Sequence, residues 1–166
     1  VGSGYAQLSL RGRIVGKASA NVAVLIHGTK AKIKGGKQTK VVIKSPADWC
    51  EYYGVPVKRG VAILYKGLND QFISPRGGKY QPGEILGDAP DWDGGKEECG
   101  GGWHFSPHPK MTLEFNKEAT KFVAVPIKLK DFVVHPDGEY PQKVKGKCGC
   151  APMLEVDQNG KAVESN

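Results

Sequence analysis

Glycine cuts the first 44 residues into short alternating runs, and no helix accommodates such a pattern. Taken in eights from Tyr5, the stretch reads YAQLSLRG, RIVGKASA, NVAVLIHG, TKAKIKGG and KQTKVVIK, with glycine closing three of the five blocks. Small or apolar residues alternate with polar ones inside each block, the two-residue period of a strand, and the glycines mark turns. A weak repeat of strand and turn predicts a small β-solenoid or a meander, with an apolar strip that includes Ala23, Leu25, Ala31, Ile33 and Val41. So narrow a strip is not stable alone and should pack on the following residues, on further repeats upstream or on like subunits.

Charge separates this segment from the rest of the chain. Between Val1 and Lys44 there are nine basic residues and no Asp or Glu, whereas in the remainder 15 basic residues meet 17 acidic ones. A basic segment joined to a nearly neutral domain favours an acidic partner such as nucleic acid or another polyanion, or assembly into a homo-oligomer. Lysines also keep exposed strand edges soluble and unpaired. The alternation of Lys30, Lys32 and Lys34 aligns three ammonium groups on one side of a strand, and with Lys37 and Lys40 they form the candidate polyanion site. His27 reads as a strand-end residue.

Ser45-Pro46-Ala47-Asp48 is a helix start: serine caps, proline takes the first helical position, and Asp48 stands where a capping-box acid sits. Gly54 ends that helix after about two turns, and its aromatics are expected to cover the sheet edge where the basic segment joins. Cys50, between Trp49 and Glu51, reads as a buried small hydrophobe. Val61 to Gly67 is a core strand, β-branched at Val61 and Ile63 and bounded by glycine. Ser74 to Gly78 is a turn, and residues 84–98 form an acidic loop, expected to be solvated, without the ligand spacing of a calcium loop.

The densest chemistry lies in Glu98-Cys99-Gly100-Gly101-Gly102-Trp103-His104-Phe105-Ser106-Pro107-His108-Pro109. The glycines permit close approach of another chain segment or a ligand. Trp103 to Phe105 reads as a brief strand, and Ser106-Pro107 as the cap of a helix to about Asn116, with Met111 and Phe115 on its buried face. Strands are expected at 121–127 and 129–134, with Pro126 marking an edge or bulge, and a last core strand at 139–145. Residues 157–166 read as a polar, frayed end.

Thiols and imidazoles raise a zinc site from Cys99, Cys148 and Cys150 with His108 or His104. The alternatives are a disulfide from Cys99 to Cys148 or Cys150, or free thiols, because Cys-x-Cys replaces the usual ribbon spacing. Nucleophile elbow, zincin, P-loop and dinucleotide fingerprints are absent. Neither a Cys99–His104 pair nor a Glu139–His104 acid–base pair follows unless the fold brings the partners together.

Two resemblances add to this. VAILYKGL, YQPGE, WDGGKEECGGGWHFSP and YPQKVKGKC, within residues 60–147, resemble an uncharacterised domain family of actinobacteria and their phages, whose members can follow short N-terminal β repeats. That resemblance implies a phage or prophage origin and no particular activity. Leu64-Tyr65-Lys66-Gly67, followed by Gly101-Gly102-Trp103-His104-Phe105-Ser106 and a helix, is similar in order and spacing to ADP-ribosyltransferase folds. There an L-Y-[HR]-G strand and a G-x-[YH]-F-S strand line an NAD cleft, and a later strand supplies a glutamate. The resemblance implies a site of Lys66, His104, Ser106 and Glu139, with lysine replacing histidine or arginine at the first position.

The sequence therefore predicts an α+β, mostly β chain. A basic β repeat segment (1–44) is expected to precede a domain (45–156) with a twisted, antiparallel-rich sheet and two short helices, then a polar tail (157–166). The leading expectation is a phage-type accessory binding or assembly module, cytoplasmic or virion-associated; the other is an ADP-ribosyltransferase-like protein using NAD. No apolar run reaches the roughly 18 residues of a membrane span. Val1-Gly2-Ser3-Gly4 lacks a signal-peptide layout, and without an initiator methionine a trimmed chain stays open.

Overall fold

Parallel pairing decides how the N-terminal repeats are wound. The computed structural model describes residues 6–10, 14–20, 22–27, 31–95 and 97–164. Strands β1 (Ala6–Leu10), β3 (Val22–His27) and β5 (Lys37–Val41) form one parallel sheet, and β2 (Val15–Lys17) and β4 (Lys32–Lys34) pair in parallel as a second. Ala6 lies beside Val22, Val15 beside Lys32 and Ala23 beside Lys37, so each strand meets its counterpart two eight-residue blocks later. A meander would pair successive strands antiparallel; this segment is a β-solenoid. Val24 is fully buried, and Ile33 is half-buried between exposed Lys32 and Lys34. The side chains of Ala23, Leu25 and Val41, expected in the same strip, lie outside what is described. At the corner between β4 and β5, Gly36 has φ 71°, and a Cβ there would stand 2.8 Å from the Val22 carbonyl oxygen and 3.0 Å from Val24 Cγ2. Only glycine lets the coil close so tightly.

Helix α1 (Pro46–Tyr53) begins as its sequence predicts. Ser45 Oγ accepts from the Asp48 amide at 3.2 Å, Asp48 Oδ2 accepts from the Ser45 amide at 3.0 Å, and Gly54 closes the helix at φ 67°. Its buried residues are Trp49 and Cys50. Trp49 donates from Nε1 to the Pro141 carbonyl at 2.8 Å and meets Phe132 edge-on at 6.2 Å, so the helix covers the following sheets as well as the junction near Ile43.

Two antiparallel sheets complete the chain. The larger, in the order β12 (Leu154–Val156), β9 (Lys121–Lys128), β7 (Val61–Leu68) and β6 (Val57–Lys58), carries the β7–β9 register Lys66 to Val123 and Leu64 to Val125. The smaller is β10 (Phe132–Val134), β11 (Val144–Gly146) and β8 (Trp103–Phe105). They are stitched by one bridge, in which Tyr65 and Ser106 exchange both backbone hydrogen bonds at 2.9 and 3.0 Å. Ala62, Leu64 and Leu68 of β7 and Val123, Val125 and Ile127 of β9 face the principal core, together with Phe105, Phe132, Val144, Tyr80 and Trp49. Phe122, Ala124 and Val156 line the opposite face of the larger sheet. The chain is mostly β with two helices, as expected. Pro126 lies past the end of β12, which pairs only with residues 122–124, so its missing N–H interrupts no ladder there.

Four expectations need correction. The second helix, α2 (Pro109–Thr112), starts two residues late: His108 caps it, and Nδ1 accepts from the Lys110 amide at 3.2 Å. Ser106 cannot cap because both its backbone groups are committed to Tyr65. The buried helical residues are Pro109 and Thr112, whereas Phe115 is 37% exposed and rests on Tyr140. The expected strand at 139–145 shrinks to β11, because Glu98 takes the amides of Glu139 and Tyr140 at 2.9 and 2.7 Å and holds that stretch as a turn. The end is not frayed through residue 163: Asp157 Oδ1 accepts from the Asn159 and Lys161 amides, and Val163 returns to the Glu155 carbonyl at 3.0 Å. Among the described residues no helix is long and apolar enough to cross a membrane.

Candidate functional site: a basic aromatic cleft

Alternation along β7 places Lys66 in the same row as Ala62, Leu64 and Leu68, the row that faces the principal core. Its ammonium is therefore carried between the two sheets. Nζ donates to the His104 carbonyl at 2.9 Å and lies 5.8 Å from the centre of the Tyr80 ring. Among the described residues no carboxylate pairs with it. Burial, then the charges of Arg76 and Lys143, pull Lys66 down to about 8.

A cleft of about 600 Å³ opens above this point, where the sheets part beyond the Tyr65–Ser106 bridge. Lys66 and Ser106 enter it from the two sides of the bridge, and His104 from β8. Arg76 reaches it from the tight Ser74–Gly78 loop, held by Ser74 N–H to the Gly78 carbonyl at 2.8 Å and Gly78 N–H to Ser74 Oγ at 3.1 Å. Lys143 comes from the turn before β11; its Nζ donates to Cys99 Sγ at 2.9 Å and lies 5.0 Å from the centre of the Tyr140 ring. Tyr80, Trp103 and Phe105 form an edge-to-face stack along one wall, and Phe115 stands on another. Among the described residues Asp91 is the one carboxylate in the lining, and its Oδ1 accepts from the Gly102 amide at 3.0 Å.

His104 is neutral at physiological pH: burial first, then Lys66, Lys143, Arg76 and Lys145, lower it to about 4. Its Nε2 is buried without a hydrogen-bond partner. A half-buried cation with no carboxylate partner among the described residues, an unpartnered imidazole nitrogen and the further cations Arg76, Lys79 and Lys143 around aromatic walls give the cleft the chemistry to hold an anion attached to a flat ring.

The glycine run beside the cleft serves the chain itself. A Cβ at Gly101 would collide with the Asp91 carbonyl and one at Gly100 with the Asp93 carboxylate, so the close neighbour is the acidic loop. Asp93 accepts from the Gly95 and Gly101 amides and pairs at 2.8 Å with Lys145, whose side chain is 0% exposed. These bonds and the lysine's charge hold the Asp93 carboxyl down at about 2. The loop expected to be merely solvated thus fixes the cleft's glycine wall.

Of the site residues drawn from resemblance, Lys66, His104 and Ser106 share the cleft. Glu139 does not line it; it is exposed in the turn tied to Glu98, and the nearby Tyr140 hydroxyl is its hydrogen-bond partner. Arg76 and Lys143 went unrecognised because one read as turn punctuation and the other as part of a strand. The zinc set is not assembled: Cys99 contacts Lys143, Cys148 lies by Asp88, and His108 caps α2 against Tyr65. Among the described residues no three His, Cys, Asp or Glu gather as metal ligands, and the four cysteines are free thiols. Cys50 is buried as expected, which raises its thiol to about 11.

On the solenoid, Lys32 and Lys34 are exposed on one side of β4, with Lys17 beside Lys34 on β2; Lys37 and Lys40 are exposed on β5. Lys30 lies outside the described residues. Comparison with protein-family models, curated proteins and solved structures gave no match.

Proposed function

We propose that this protein is an ADP-ribosyltransferase-like protein whose cleft takes NAD. The observation that carries the reading is the convergence of Lys66, His104 and Ser106 on a single basic, aromatic cleft. Lys66, Arg76 and Lys143 would hold the diphosphate, and the cleft's aromatic walls would take a ring. Neutral His104, with Nε2 unpartnered, would meet a ribose hydroxyl. The fit is to binding more than to transfer. Cleavage of the nicotinamide bond generates positive charge on the ribose, and Glu139, which should stabilise it, stands outside the cleft. A wall carrying Lys66, Arg76 and Lys143 against Asp91 favours holding an anion over stabilising a cation.

The test is thermal unfolding with NAD. At 100 times its Kd, NAD should stabilise the fold by about 2.7 kcal/mol, and Arg76→Ala or His104→Ala should remove most of that gain. No stabilisation at saturating NAD refutes the reading.

A second reading concerns the solenoid, favoured by the exposed lysines on β4 and β5. It is that of a phage-type accessory module whose basic coil contacts a polyanion such as nucleic acid, or like subunits. Heparin or DNA affinity that falls steeply with salt, and falls further in Lys32→Ala with Lys34→Ala, supports it. Salt-independent affinity overturns it.

A further inference from the structure

The unusual member of the cleft is Lys66 itself. Lysine between two fully buried leucines of a strand is costly, and among the described residues no carboxylate pairs with it to offset the cost. The ionisable groups around it are Arg76, Lys143, Lys79, His104, Tyr80, Tyr65 and Asp91, all lining the same cleft. The first two are cations that disfavour a third, and Asp91 is engaged by the Gly102 amide. An anion-binding role alone would be served by a permanently charged arginine. A desolvated lysine beside other cations has a different use, as a free amine.

We propose that Lys66 is a carbonyl-trapping amine that forms an imine with an aldehyde carried on a phosphate ester, Arg76 and Lys143 holding the phosphate. The neutral Nζ has two hydrogens and one lone pair. One N–H stays on the His104 carbonyl, which fixes the nitrogen at 2.9 Å, and the lone pair attacks the carbonyl carbon of the ligand. The carbonyl π electrons pass to oxygen, which takes up a proton to give a carbinolamine. The nitrogen then passes a proton to that oxygen, its electrons form the C=N bond as the C–O bond breaks, and water leaves; the N–H that remains is the one held by the His104 carbonyl, so the product is the protonated imine. The net change is amine plus aldehyde plus one proton from solvent to protonated imine plus water, with no oxidation or reduction. His104 lines the cleft as a neutral imidazole with a free Nε2, able to carry the proton between the two steps. Arg76 and Lys143 serve both halves of the requirement: they attract the phosphate and, with burial, they raise the fraction of free amine. A lysine at about 8 has roughly 300-fold more free amine at pH 7 than one at its usual 10.5. The proposal uses the same cleft as the NAD reading but does not require NAD as ligand.

The experiment uses the whole chain with pyridoxal 5′-phosphate as the phosphorylated aldehyde, followed by borohydride reduction and peptide mapping. One label per chain on Lys66 is expected, formed at least tenfold faster than on Lys110 or Lys117, which are exposed outside the cleft, with a rate that levels off above about pH 8. Arg76 is exposed, so Arg76→Ala leaves the core intact; it should slow labelling by pyridoxal 5′-phosphate about tenfold more than it slows labelling by pyridoxal, which loses only the effect of the Arg76 charge on the amine. Labelling spread over surface lysines, with Lys66 no faster than the rest, overturns the proposal. Pyridoxal reacting as fast as its phosphate overturns the role of Arg76 and Lys143. Because mapping is done on the unsubstituted chain, no variant at Lys66 has to fold. Saturating NAD should slow labelling; labelling of Lys66 that NAD leaves unslowed supports the imine and counts against the NAD reading alone.

Discussion

Replacing Lys66 by methionine, which has a similar length and no charge, should stabilise the fold. Lowering Lys66 from 10.5 to about 8 corresponds to about 3.4 kcal/mol of penalty on the charged form in the folded state. Leaving the His104 carbonyl without its donor returns about 1 kcal/mol of that. The expected net gain is about 2 kcal/mol at pH 7, or roughly 4–8 °C in Tm for a chain of this size. The pH dependence is the stricter test. Below about 8 the lysine is charged in both folded and unfolded chains, and the full penalty is present. As pH rises from about 8 to 10.5 the folded state sheds the proton while the unfolded state keeps it, so the native protein recovers stability and the variant's advantage disappears. Urea denaturation at pH 7 and pH 10.5 measures both. A variant less stable than the native chain at pH 7, or a gain that persists at pH 10.5, would refute the account of Lys66 as a half-buried cation without a carboxylate partner. A stabilised variant that also loses ligand binding would mark Lys66 as a residue kept at a cost to stability for the sake of the site.

The same geometry sets three further outcomes. His104 is neutral in the fold down to about 4 and ordinarily takes a proton near 6.5, so stability should decline as pH falls between those values. With allowance for its partial exposure the loss is about 1–2 kcal/mol, and it should be absent in His104→Gln; an unchanged acid profile in that variant would contradict the assignment. Asp93→Ala strands the fully buried Lys145 ammonium and frees the Gly95 and Gly101 amides, and should lower Tm on the order of 10 °C; a drop of only a degree or two in a thermal melt would mean that the pair is not structural. Ser45→Ala removes the cap of α1 and should cost about 1 kcal/mol by urea denaturation without altering labelling of Lys66; a change in labelling would show that α1 supports the cleft.

Local signals were legible where neighbouring residues satisfy one another. Ser45, Pro46, Asp48 and Gly54 complete helix α1 within ten residues of chain, and the bounded run at β7 needs only its own alternation. The solenoid's eight-residue rhythm was visible as well, but its parallel winding was not, because register is set between strands a full coil apart. By its sequence Ser106-Pro107 is the helix start, since serine is a preferred cap and histidine is not. The choice fell to His108 because Tyr65, 41 residues earlier, claims the backbone of Ser106.

For the site, the sequence by itself determined that Lys66 and His104 would lie on two strands beside aromatic residues, since alternation and glycine boundaries are properties of adjacent residues. It also determined the mostly β class. Only the tertiary structure decided that these two strands part to form a cleft, that Arg76 and Lys143 close over it, that Glu139 stays outside, and that the zinc ligands scatter. It likewise turned the acidic loop inward, where Asp93 meets Lys145 across 52 residues. The physical reason is common to all of these: desolvation and charge pairing depend on distances through space, and a chain's spacing along its sequence carries that information only when the partners lie within one turn or one strand.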